Sequence, residues 1–76
     1  MTSRTVKFDK SIYSKRAVQE SIKEYADIAK FNFAESESDY ICRIIHSIYP
    51  VNITILEFSN YVLGITVQAE RHEDVD

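Results

Sequence analysis

Apolar residues recur at steps of three and four along the last part of the chain, residues 54–70. That spacing places them on one stripe of an α-helix, because a helix has about 3.6 residues per turn. Thr54 is followed three residues later by Glu57, the arrangement of a capping box at a helix start. The pattern therefore predicts a helix over residues 54–70, with a buried stripe formed by Ile55, Phe58, Val62, Ile65 and Ala69.

The same segment also fits a hairpin. Residues 61–67 are rich in β-branched side chains, and their apolar residues alternate with others as in a strand. Ser59 and Asn60 would then form the two-residue turn, although such turns favour glycine. Gly64 costs a helix about 1 kcal/mol relative to alanine. The spacing favours the helix, and the hairpin remains the alternative.

The first part of the chain predicts a strand and a helix. Residues 5–9 alternate between apolar and polar side chains, as a half-buried strand does. Ser14 suits the N-cap of the helix that follows, because Tyr13 and Val18 stand at the positions of a hydrophobic staple. The apolar stripe of this helix consists of Val18, Ile22, Tyr25 and Ala29.

Two further strands follow that helix. Residues 30–35 alternate again, and the polar segment 35–39 is typical of a turn between antiparallel strands. Residues 40–46 form the third strand, and Pro50 interrupts regular structure before the last helix. The order predicts one α+β domain over residues 1–76, a β-α-β-β-α fold with a three-stranded, antiparallel-containing sheet and both helices on one face. We expect residues 1–4 and 71–76 to fray.

The third strand carries apolar residues on both faces, which predicts a partner. Ile41 and Ile45 flank Arg43 on the face that two helices cannot cover. A symmetric second copy is the commonest cover, so we predict a homodimer that Ile45→Asp would convert into a monomer. Cover by a larger protein is the alternative. Gly64 would let two helices approach closely, and the last helix has further apolar residues outside its main stripe: Leu56, Tyr61, Leu63 and Val67.

Asn60 is the polar residue of most interest, because it lies between Phe58 and Val62 on the last helix. It is either an exposed or helix-capping amide, or an amide at the edge of an interface that bonds to a partner's backbone. The residues that we assign to the interface are Ile41, Arg43, Ile45, Asn60, Tyr61 and Gly64.

Composition limits the chemistry further. One cysteine excludes an internal disulfide and agrees with a reducing compartment. The sequence has neither the apolar core of a signal peptide nor an apolar run of the ~20 residues that span a membrane. A net charge of −3 gives no electrostatic footprint for nucleic acid. We therefore expect a cytoplasmic protein that contacts neither membrane nor nucleic acid.

Catalytic and metal-binding patterns are missing from the sequence. Cys42 and His46 would share one face of the third strand, but zinc needs three or four protein ligands. A single glycine excludes a glycine-rich phosphate loop. We expect no catalytic residue, no metal and no cofactor, and hence a protein that is not an enzyme.

Two segments resemble one protein family. Residues 8–25 (FDKSIYSKRAVQESIKEY) contain an aspartate, the sequence Ile-Tyr-Ser and the opening of a helix, and residues 57–63 (EFSNYVL) contain a Glu-Phe-x-Asn-x-x-Leu pattern. Together they resemble the HxsD and HxsD-like proteins. These are small partners in His-Xaa-Ser peptide-maturation systems, which pair a ribosomally made precursor peptide with radical SAM enzymes. The resemblance covers residues 5–70 and implies a non-catalytic protein that binds a precursor peptide or a radical SAM enzyme.

The order of elements and the last helix are also similar to the small dimerising subunit of the KEOPS tRNA-modification complex. This second resemblance is the alternative. It implies an architectural subunit that associates with kinase-like and ATPase-like proteins.

Overall fold

The fold is β-α-β-β-α, as the sequence predicts. The structure, a computed structural model, describes the backbone of residues 4–74 and the side chains of residues 4–68. In chain order, the elements are β1 (Arg4–Asp9), α1 (Lys15–Glu24), β2 (Ala29–Glu35), β3 (Asp39–Ser47) and α2 (Val51–Asp74). The α+β class is confirmed, and residues 1–3, 75 and 76 lie outside the described residues.

The three strands form one antiparallel sheet in the order β1-β3-β2. β3 is the central strand and pairs with both neighbours, so β1 and β2 run parallel to each other on either side of it. α1 connects these two edge strands across one face of the sheet. Both outer edges of the sheet are therefore formed by strands that have only one partner among the described residues.

Both helices pack on the same face, around Phe58 of α2. This side chain is fully buried, and its ring lies 5.9 Å from the Phe8 ring, 5.8 Å from Tyr25 and 4.7 Å from Phe31. These aromatic contacts join α2 to β1, to the C-cap of α1 and to β2. The buried cluster is completed by Ala17, Val18, Cys42 and Val62.

α1 begins where the sequence predicts and ends earlier. The Ser14 hydroxyl accepts a hydrogen bond from the Ala17 N–H at 3.1 Å, which is the expected N-cap contact. The expected apolar stripe ran on to Ala29, but the helix ends at Glu24 and a turn follows Tyr25. Ala29 is buried as the first residue of β2 instead, because the Ile48 N–H bonds to the Ile28 carbonyl and extends the sheet.

α2 is a helix rather than a hairpin, but the predicted start at Thr54 is wrong. The helix begins at Val51, because Pro50 needs no N–H partner at a helix start and its carbonyl accepts from the Thr54 N–H at 3.1 Å. Thr54 is therefore a buried residue inside the helix, and its hydroxyl lies 2.7 Å from the Ser47 hydroxyl. The helix also continues to Asp74, four residues beyond the expected end at Glu70.

A β-bulge in the β2–β3 ladder changes the face of His46. Lys30 pairs with His46 and Phe31 pairs with Ile44, so Ile45 is the extra residue of β3. Cys42 and Ile44 face the core, whereas Ile45 and His46 are exposed beyond it. The prediction that Cys42 and His46 share a face is therefore wrong, because a bulge breaks the alternation on which it depended.

Candidate binding surfaces

The residues assigned to an interface lie on two separate surfaces. Ile41, Arg43 and Ile45 lie on the outer face of the sheet, which the helices leave uncovered. Asn60 and Gly64 lie on the exposed side of α2, beyond the helical layer. The structure keeps these two groups apart, with the sheet and α2 between them.

The outer sheet face is more polar than β3 alone suggests. Ile41 is half-buried and Ile45 is 40% exposed. Their neighbours on β1 and β2 are mostly polar or basic, because cross-strand pairing places these residues on the same face: Thr5, Lys7, Lys30, Asn32 and Ala34. The surface is a basic and polar face with two isoleucines at its centre.

The outer edge of β1 presents unpaired backbone groups. The Lys10 N–H bonds to the Ser38 carbonyl at 2.9 Å, in line with the β1–β3 register. Hydrogen-bonded pairs alternate along an antiparallel ladder, so Phe8, Val6 and Arg4 also bond towards β3. The N–H and C=O groups of Thr5 and Lys7 consequently point away from the sheet, towards an edge that no described strand occupies.

The edge formed by β2 is less regular. The Ser36 N–H bonds to the Asp39 carbonyl at 2.9 Å, so the outward backbone groups here belong to Phe31, Phe33 and Glu35. The bulge interrupts this ladder at Lys30 and Phe31, and a bulge twists an edge away from further pairing. β1 pairs with β3 without a register shift over all six residues, so it offers the straighter template.

Two lysines, Lys10 before α1 and Lys15 at its start, share one acidic partner. Lys10 Nζ and Lys15 Nζ each lie 2.9 Å from the Glu35 carboxylate at the end of β2. Hydrogen bonds from Lys15 and Lys10 hold the pKa of Glu35 below its usual value, and the bond to Glu35 raises the pKa of Lys15. These ion pairs tie the start of α1 to the β2–β3 hairpin.

The exposed side of α2 carries an apolar stripe. Leu56, Leu63 and Val67 are 62%, 44% and 42% exposed, and Ile53 is 48% exposed. Ile53 lies one residue before the predicted helix start at Thr54, so the sequence pattern did not place it on this stripe. Tyr61 lies at the flank, where its ring is 5.7 Å from the Tyr25 ring. A Cβ built on Gly64 would meet no atom within 4 Å, so this part of the helix is open.

The described residues offer no metal site. No group of three or more His, Cys, Asp or Glu side chains comes together among them. Cys42 is buried, and that burial raises the pKa of its thiol to about 12, which keeps it protonated and unreactive at neutral pH. His46 lies on the other face of the sheet. No helix within the described part of the chain has the length and apolar character to cross a membrane.

Comparisons of the chain with protein-family models, with curated proteins and with solved structures find no match. The two family resemblances therefore stay predictions.

Proposed function

We propose that this protein is a non-catalytic accessory protein that binds an extended peptide at the outer edge of β1. The observation that carries the proposal is the regular, unpaired row of backbone groups at Thr5 and Lys7. An extended peptide can add a strand to such an edge, because its own N–H and C=O groups complete the ladder. The proposed occupant is a precursor peptide of a ribosomal-peptide maturation system, or an extended segment of its radical SAM enzyme.

The side chains beside this edge favour a particular peptide. Thr5 and Lys7 present their side chains on the outer face. The ammonium group of Lys7 favours an acidic residue on the same side of an added strand. On the inner face, the half-buried Val6 favours apolar residues at the alternate positions. The expected ligand alternates acidic and apolar side chains.

The family resemblance supplies the biological context of the proposal. It covers residues 5–70, which include Thr5 and Lys7 of β1, and it concerns small proteins that accompany a peptide and its modifying enzyme. A cytoplasmic location belongs to the same proposal, since a lone buried thiol agrees with a reducing compartment.

The test combines binding with a backbone-specific variant. The precursor peptides and radical SAM enzymes encoded in the same locus are titrated against the purified chain, and amide hydrogen exchange is followed residue by residue. We expect binding at micromolar concentration, with new protection at the Thr5 and Lys7 amides. Lys7→Pro removes one outward N–H without breaking a bond to β3, so it should weaken binding by about tenfold or more.

Lys7→Thr is the matched control, because it also loses the charge but keeps the N–H. It should bind more tightly than Lys7→Pro. Equal binding by Lys7→Pro and the natural chain would contradict strand addition at β1. If no peptide or radical SAM enzyme from the locus binds, the maturation context is wrong.

The exposed stripe of α2 favours a second candidate, the architectural dimerisation subunit of a KEOPS-type complex. Co-purification with kinase-like and ATPase-like proteins, in place of peptide-maturation proteins, would select it.

A further inference from the structure

The residues of the exposed stripe of α2 have a regular spacing that is typical of paired helices. Its members follow one another at steps of three, four, three and four, and we call them the α2 seam: Ile53, Leu56, Asn60, Leu63 and Val67. This is the a and d pattern of a coiled coil, with Ile53, Asn60 and Val67 at a and both leucines at d. The α2 seam lies on the side of α2 opposite to Phe58 and Ile65, which face the protein's own core.

We propose that two copies of this chain associate through a parallel, two-stranded coiled coil of their α2 seams, with Asn60 beside its counterpart. The choice of residues selects this arrangement. β-branched residues at a with leucine at d favour a parallel pair of helices. A single asparagine at a central a position fixes the register of the helices and their number. The α2 seam has each of these features at the expected position.

The asparagine also discriminates between orientations. In a parallel pair, equivalent a positions meet in one layer, so two Asn60 amides can bond to each other. In an antiparallel pair, a positions meet d positions, and each amide would be buried against a leucine without a partner. An unsatisfied buried amide is strongly unfavourable, so the parallel pair is preferred.

The flanking positions permit close approach of the two helices. Glu57 and Gly64 at the e positions and Asn52 at a g position are exposed, whereas Ser59 and Thr66, at the other g positions, are half-buried and buried on the side of the protein's own core. No two like charges face each other across such a pair, and Gly64 leaves open space beside the α2 seam. Because Phe58 and Ile65 occupy the f positions, farthest from a partner helix, the two sheets lie on the outer sides of the pair.

The exposed apolar area is that of a weak dimer. Nine large hydrophobic side chains are exposed among the described residues, and four of them belong to the α2 seam: Ile53, Leu56, Leu63 and Val67. Together these four expose roughly 350 Å² per copy, or about 700 Å² for two, which is the size of weak and transient interfaces. An apolar patch of a few hundred Å² on a small protein is often functional. We therefore expect a dimer that dissociates in the micromolar range.

This arrangement relocates the dimer contact expected from the sequence. Ile41 and Ile45 lie on the outer sheet face and stay exposed in the proposed pair. The β1 edge also remains free, so the dimer and the proposed peptide binding are independent and can fail separately.

Sedimentation equilibrium of the full chain, from about 5 to 200 µM, tests the proposal. We expect a reversible monomer–dimer equilibrium. The double variant Leu56→Asp/Leu63→Asp should be a monomer over the whole range, with an unchanged far-UV circular dichroism spectrum. Ile45→Asp is the matched control, an exposed isoleucine outside the α2 seam, and it should dimerise as the natural chain does. A natural chain that stays monomeric at the highest concentration, or a dimer lost in Ile45→Asp and kept in the double variant, would overturn the proposal.

Cross-linking tests the orientation with a gain of signal. Val67→Cys places a thiol near one end of the α2 seam, so only a parallel pair brings it within reach of its counterpart. We expect a disulfide-linked dimer under mild oxidation and none from the natural chain, whose Cys42 is buried. A Val67→Cys protein that is dimeric but forms no disulfide would exclude the parallel arrangement.

Asn60→Ile should tighten association by about tenfold and produce species larger than the dimer, since the buried amide no longer fixes the number of helices. Weaker association of Asn60→Ile would contradict the a position of this residue.

Discussion

α2 has two apolar faces, and only one of them is used inside the described domain. On the inner face, Phe58 and Val62 are fully buried, and Thr66 satisfies its hydroxyl by donating to the Val62 carbonyl at 2.9 Å. On the outer face, Leu56 and Leu63 are 62% and 44% exposed. Both faces are apolar enough to be a core, so hydrophobicity does not distinguish them. The inner face is distinguished by aromatic partners on three other elements.

The largest difference between the faces should appear in unfolding. Phe58→Ala removes a ring that contacts β1, α1 and β2, and such truncations cost about 3–5 kcal/mol of unfolding free energy. Leu56→Ala on the outer face should change the unfolding free energy by no more than about 0.5 kcal/mol when the protein is dilute. Urea denaturation followed by circular dichroism measures both. Similar losses in the two variants would show that the outer face is packed as tightly as the inner one.

The fold could be predicted from the sequence because its elements have distinct periods. Alternation revealed β1 and β2, and the Ser14 cap fixed the start of α1, since both signals are local. The missed features depend on distant contacts. The end of α1 follows from pairing of Ile28 with Ile48, and the bulge at Ile45 follows from the fit between β2 and β3.

The exposed stripe of α2 was harder to predict, because the predicted start of the helix was wrong. A helix that begins at Thr54 excludes Ile53, the first member of the α2 seam, and leaves only one β-branched residue, Val67, at an a position. Pro50 was the signal for the earlier start, as proline is favoured in the first turn of a helix. Ile45 and Asn60 were predicted to lie in one interface, but the sheet separates them. No local sequence pattern contains information about that separation.

A second, smaller effect concerns the exclusion of water from the inner face, which the pH dependence of stability should report. Cys42 lies beneath Phe58 and Val62, and burial raises the pKa of its thiol from 9.0 to about 12. The folded state holds the proton more tightly than the unfolded state does, so this contribution to stability is complete below about pH 9 and is lost as the pH rises towards 12. Between about pH 8 and 10.5, the natural chain should lose on the order of 1–2 kcal/mol more than Cys42→Val, in which no thiol titrates.

Urea midpoints of both proteins at the two pH values measure this difference. Tyrosine and lysine side chains titrate in the same window, but they do so in both proteins and cancel in the comparison. Equal losses would mean that water reaches the thiol through the contact between α2 and β3.

The smallest effect concerns the outer side of α2 and has the opposite sign. Gly64 is exposed within the helix, and a Cβ built there meets nothing within 4 Å. Gly64→Ala should therefore stabilise the dilute protein by about 1 kcal/mol, because alanine loses less backbone entropy in a helix. Gln68→Ala, at an exposed position one turn later, is the matched control and should change stability by only a few tenths of a kcal/mol. Urea denaturation at low protein concentration measures both, and a destabilising Gly64→Ala would reveal a close neighbour that packs against the outer side of the helix.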